Sequence, residues 1–168
     1  MYRKKKNEKD VNYILKRLRK EDAHECLLQR GKHYRKDILN DVMTSNQYVV
    51  VGCEKSTNTP ILMGGATSLS NGVAIVWLLT TPKVIKHQIC LLRELKKEIE
   101  KFDEKYWLTF NTIYKENIVA KKWLKKYGYR FPNDEKEHTL MDKYLLQQIP
   151  IQEGFELFYR IRKPRGLK

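Results

Sequence analysis

Residues 117–131, Asn-Ile-Val-Ala-Lys-Lys-Trp-Leu-Lys-Lys-Tyr-Gly-Tyr-Arg-Phe, decide how the rest of the chain is read. Ile118, Val119, Ala120, Trp123, Leu124 and Tyr127 recur at three- and four-residue steps, and Lys121, Lys122, Lys125 and Lys126 fill the opposite face. This is the pattern of an amphipathic helix of about three turns. Gly128 stands where a helix that ends in a left-handed residue places glycine, and Tyr129 and Phe131 then alternate as in a short strand. Upstream, Trp107, Leu108, Thr109 and Phe110 read as a strand leading through Asn111, so the local order is strand, helix, strand.

Outward from there, the longest helix is predicted to start with Thr81 as N-cap and Pro82 at the first helical position. It runs to about Lys101 with Ile85, Ile89, Leu92, Leu95, Ile99 and Phe102 on one stripe. The unbroken apolar run Val73 to Leu79 before it belongs in the middle of a sheet. Asn71-Gly72 is a tight-turn signal joining that run to Ile61–Leu69, itself the hairpin partner of Gln47–Glu54. Gly64 and Gly65 mark a bulge or a close backbone contact. Val11, Tyr13, Leu15 and then Leu18 alternate as a first strand. A short helix capped by Asp22 and carrying Ala23, Cys26 and Leu27 follows, then a second helix from Tyr34 to Met43. Beyond Phe131 the chain predicts a helix over Thr139–Gln148, stopped by Pro150, and a last strand through Phe155, Leu157 and Tyr159. The fold class expected is α/β (α+β): a mixed, mostly antiparallel central sheet flanked by helices.

At 168 residues the chain is expected to hold one domain, and a mean hydropathy of -0.65 with 41% hydrophobic residues places it among globular chains with a very polar surface. The net charge is +14, of which residues 1–20 and 160–168 supply twelve, so the basicity is expected in two ends and not in a groove across the fold. Residues 1–10 are read as a flexible basic N-terminal tail, 11–161 as the domain and 162–168 as a basic C-terminal tail. Such ends neutralise phosphate or acidic protein surface, or equally serve as solvated ends that keep a chain soluble. No apolar run is long enough to cross a bilayer, so no membrane is expected. Cys26, Cys53 and Cys90 cannot all pair, which argues for a reducing compartment, and His87 with Cys90 lacks a second pair at ligand spacing, so no metal is expected. His24 and His33 read as surface or packing residues, and Trp77, Trp107 and Trp123 as core.

The order of elements, with Asn117, Ala120, Gly128 and Tyr129 on their spacing, resembles the end of the fold of the GCN5-related N-acetyltransferases (GNAT). The resemblance covers roughly residues 11–131, with a plausible last strand at 155–161. It implies acetyl-CoA held where the central strand turns into the long helix, by a Gln or Arg followed by two closely spaced glycines. The matching turn here, Thr80 to Lys86, holds no glycine, and Pro82 removes one amide donor. The residues left for the cofactor are Thr81, Lys83, Lys86 and Asn117. The tyrosine that serves as acid in many members is replaced by Leu124, with Tyr114 or Tyr127 as the nearest substitutes, and Val73 to Pro82 contains no carboxylate to act as base. No catalytic residue is therefore assigned, and no cofactor is favoured.

Val76 to Thr80, with Asn117, Trp123, Leu124 and Gly128, is similar to a group of tailed-phage proteins with a degenerate acetyltransferase-like fold and internal virion or head-assembly roles. That similarity implies a structural, virion-assembly role with phage virion proteins as partners, DNA reached through the basic tails, and a place in the host cytoplasm during assembly, or in the virion if retained there. The alternatives are an acetyl-CoA-dependent N-acetyltransferase and sequence-independent nucleic-acid binding through the basic tails.

Overall fold

The structure, a computed structural model, describes residues 1–45, 47–70 and 72–162. Strands β1 (Tyr2–Lys5), β2 (Tyr48–Cys53), β3 (Pro60–Ser70), β4 (Val73–Thr80), β5 (Leu108–Tyr114) and β6 (Phe155–Ile161) lie side by side in chain order. Only β4 and β5 run parallel, so the sheet is mixed and mostly antiparallel, as the sequence implies. Helices α1 (Glu8–Leu15), α2 (Lys20–Arg30) and α3 (Tyr34–Thr44) precede β2. Helix α4 (Gln88–Lys105) links β4 to β5, and α5 (Ile118–Lys126) and α6 (Leu140–Gln148) lie between β5 and β6.

Side chains alternate across the sheet and divide the core by face. On one face Val51, Cys53 and Met63 pack with Val11, Ile14 and Leu15 of α1 and Ile38 and Val42 of α3, while Phe110, Leu157 and Tyr159 pack with Leu145 of α6. On the other, Val76, Ile113 and Phe158 meet α4 and α5 through Ile99, Phe102 and Leu124. Each fully buried Leu, Ile or Phe contributes about 1.5–3 kcal/mol, so the two layers clamp the sheet from both sides.

Two readings at the N-terminus change. Residues 2–5 form the edge strand β1, with Tyr2 opposite Cys53 and Lys5 opposite Val50, where the sequence suggests a mobile tail. Val11 and Leu15 sit on a helix, not a strand: Asn7 accepts the Asp10 backbone N–H as N-cap, and Val11, Ile14 and Leu15 share the buried stripe. One residue past β4, Pro82–His87 form a separate six-residue 3-10 helix before α4 begins. That change of pitch breaks the expected stripe and leaves Ile85 and Ile89 62% and 70% exposed. Asp22 lies inside α2 and caps nothing. Trp107 is 45% exposed, against the core reading. Tyr129 to Phe131 make a single bridge, Arg130 to Tyr159, and no strand. Gly65 is a close-contact site: a Cβ there would fall 1.9 Å from the Tyr48 carbonyl oxygen. The turn residue Asn71 and residues 163–168 of the C-terminal tail lie outside the described residues.

Candidate functional site

The parallel ladder between β4 and β5 is short. Val73, Ala74 and Ile75 pair with Leu108, Thr109 and Phe110, and there the pairing ends. Asn111 closes it, donating from Nδ2 to the Val76 carbonyl oxygen at 2.9 Å. Past that point the strands part, and a cavity of about 200 Å³ opens between them. Trp77, Leu79, Leu124, Tyr127 and Phe158 supply apolar wall, and α2 supplies the polar rim through Asp22 and Glu25.

Helix α2 is held at the parted end by backbone and carboxylate together. The Arg19 backbone N–H donates to the Thr80 carbonyl at 2.9 Å, and Thr80 donates its own N–H and its hydroxyl to Asp22 Oδ2, each at 2.7 Å. Arg19 Nη2 reaches the other Asp22 oxygen at 2.7 Å. Strand β4 thus has its last polar groups satisfied by α2 in place of β5. One turn further along α2, the Glu25 carboxylate accepts a hydrogen bond from Asn117 Nδ2 at 2.6 Å. Burial pushes its pKa up to about 7, against the lowering effect of the Asn117 amide. A carboxyl that titrates near neutral pH beside an apolar cavity can take or give a proton there.

The residues singled out from the sequence divide into two places. Asn117 lies in the cavity wall, 6% exposed; besides holding Glu25 it caps α5 by accepting the Ala120 N–H at 3.3 Å. Leu124 lines the same wall and carries no proton. Tyr127 is there too, but its hydroxyl donates to the Leu92 carbonyl at 2.7 Å, and Tyr114 makes edge-to-face contacts with His24 and Phe155. Thr81, Lys83 and Lys86 stand apart, on the turn after β4. None of them lines the cavity.

That turn does not fit a diphosphate. The Thr81 N–H donates to the Ile61 carbonyl at 2.8 Å, the Val84 N–H to the Thr81 carbonyl at 3.0 Å, and Pro82 has none. The Val84 side chain is 1% exposed and packs into the core with Ile61, Leu62 and Leu91, which anchors the turn to the sheet. Lys83 lies 3.6 Å and His87 3.2 Å from the Glu54 carboxylate, so the nearest cation faces an acid. Thr81 Oγ1 is buried without a partner among the described residues.

Glu25 was not legible as a functional residue because its partner is 92 positions away and its burial comes from tertiary packing alone. Asn111 read as a link to the helix, yet it is what ends the ladder. Among the described residues no group of three His, Cys, Asp or Glu is placed to hold a metal ion, and no helix is long and apolar enough to cross a membrane.

No family model matches the chain, and no curated protein matches it. Solved structures do. An acetyltransferase of the GNAT family from Staphylococcus aureus Mu50 superposes with a TM-score of 0.67 at 12% identity, over 96% of this chain and 99% of that one. Aminoglycoside 6'-acetyltransferase type Ii gives 0.64 at 13% identity, over 99% and 100%. The PaiA N-acetyltransferase from Thermoplasma acidophilum, solved in complex with coenzyme A, gives 0.62 at 14% identity, over 95% and 98%. At such identities the likeness is one of fold: the chain has the architecture of the GNAT acetyltransferases from end to end.

Proposed function

We propose that this chain uses the acetyltransferase fold as a non-enzymatic scaffold that acts through protein contacts, in the phage virion-assembly role implied by its similarity to degenerate tailed-phage relatives. The observation that carries the reading is the turn after β4, which holds no glycine, lacks an amide donor at Pro82 and has its Thr81 and Val84 amides bound elsewhere. Leu124 at the acid position points the same way. Calorimetric titration of acetyl-CoA into the purified protein tests it, with a Lys83→Ala, Lys86→Ala double variant alongside. No heat is expected at millimolar ligand, and micromolar binding that the double variant loses would overturn the proposal. The virion part is checked by looking for the chain in purified particles and their assembly intermediates; absence from both would sink it.

Glu25 favours a second reading, an N-acyltransferase. A carboxyl with a pKa of about 7 in a cavity between parted strands could deprotonate a bound amine. The acyl donor would then have to be held without the diphosphate turn. Acetylation of a broad amine panel by wild type but not by Glu25→Gln would establish this reading in place of the first.

A further inference from the structure

The positive charge of residues 1–20 belongs to folded surface, and it continues across two helix starts. Lys16 and Arg17 follow the C-terminal end of α1, Lys20 opens α2, and Lys32, Arg35 and Lys36 surround the start of α3; all six are exposed. The start of α3 meets the end of α1 here: Arg35 Nε donates to the Leu15 carbonyl at 3.0 Å, next to Lys16 and Arg17. Two guanidiniums are held on rings: Arg17 lies 4.1 Å from the centre of Tyr13, and Arg35 4.7 Å from that of Tyr34. None of the six is in a described ion pair, whereas Arg19 and Arg30 nearby are tied to Asp22 and Asp41. The acids on the same helix starts are Glu21, Asp22 and Asp37; Asp22 is buried and tied to Arg19, so two exposed carboxylates stand against the six cations.

We infer that this face binds the phosphate backbone of nucleic acid, without reading its sequence. Cations fixed by stacking and by a backbone hydrogen bond lose less freedom on meeting phosphates than free lysines do. Of the apolar residues of the corner, Leu15 and Tyr34 are buried and Tyr13 and Leu18 half-buried, so little apolar surface is left for a bilayer to take up. The sequence carries no base-recognition motif, so the contacts inferred are to phosphate alone. The inference is independent of whether the cavity has a ligand.

Fluorescence anisotropy of a labelled DNA duplex of mixed sequence, titrated with the full chain at several salt concentrations, tests it. The variant Lys16→Glu, Arg17→Glu, Lys32→Glu is compared with Lys163→Glu, Arg165→Glu, Lys168→Glu at the C-terminal end. The first triple is expected to weaken binding at least tenfold and to reduce the slope of log affinity against log salt by about 3; the second is expected to change affinity less than threefold. Because Arg17 stacks on Tyr13, a further triple, Lys20→Glu, Lys32→Glu, Lys36→Glu, must reproduce the loss with an unchanged melting temperature. Equal losses at the two ends, a loss confined to residues 163–168, or binding to polyglutamate-type acidic peptides but not to DNA would each overturn the inference.

Discussion

Two carboxyls reach the interior, Asp142 on α6 and Glu25 on α2, and they are treated in opposite ways. Asp142, fully buried at the start of α6, receives Arg130 Nε and Nη2, the backbone and hydroxyl of Thr139, and the Tyr159 hydroxyl at 2.8 Å. Burial works against its charge, yet these donors hold its carboxyl well below the usual range. Glu25, beside the cavity, has the Asn117 amide as its strong side-chain donor, and burial wins. The difference teaches where the molecule is finished structure and where it is not. Asp142 ties α6 to the 130s and β6 and leaves no oxygen over, while Glu25 keeps a proton near neutral pH beside open space.

Breaking the satisfied end should have the larger effect. Asp142→Ala leaves Arg130, Tyr159 and the Thr139 cap without their acceptor and is expected to cost about 3 kcal/mol, read by urea denaturation. Since its folded pKa is depressed, the stability that Asp142 supplies is present above the ordinary aspartate pKa and lost as pH falls through the folded value. The stability gap between wild type and Asp142→Ala should therefore shrink in acid. A gap that stays constant from pH 7 to pH 3 would show that the carboxylate is not the anchor.

Glu25 has the reverse sign. Its folded pKa is raised from 4.5 to about 7, so the unfolded chain loses this proton first and stability falls as pH rises between those values. Glu25→Gln keeps the shape and cannot ionise. It is expected to stabilise the protein by on the order of 2 kcal/mol at pH 8 and to change little at pH 4, measured as melting temperature across pH. Stabilisation that is the same at both pH values would mean packing, not charge, and would remove Glu25 as a proton carrier.

The parts of this comparison were unequally visible in the sequence. Helix α6 was legible because its signals are local: Thr139 and Asp142 lie at capping-box spacing and Pro150 follows. The Asn117 cap and Gly128, with φ at 79°, were legible for the same reason. Strand β1 was not, since Tyr2-Arg3-Lys4-Lys5 has no apolar alternation and is a strand only because β2 offers its edge. In α1 two periods compete: Val11, Tyr13 and Leu15 alternate, but Val11, Ile14 and Leu15 also fall on one helical face, and Asn7 with Asp10 favours the helix. The cavity was hidden altogether, because it depends on where a ladder stops.

Asn117 joins the two halves of that lesson, since one oxygen does a local task and one nitrogen a distant one. Asn117→Ala removes both and is expected to cost about 1 kcal/mol for the lost cap, with a further loss that grows above pH 7 as Glu25 ionises without its donor. Asn117→Asp separates them. The carboxylate still caps α5 but sets a second acid against Glu25, so the cap should survive while the Glu25 titration, followed by NMR of its side-chain carboxyl, moves above its wild-type position. If that titration does not move, the hydrogen bond from Asn117 is not what governs Glu25, and the cavity's proton must be explained by burial and the neighbouring Asp22 charge.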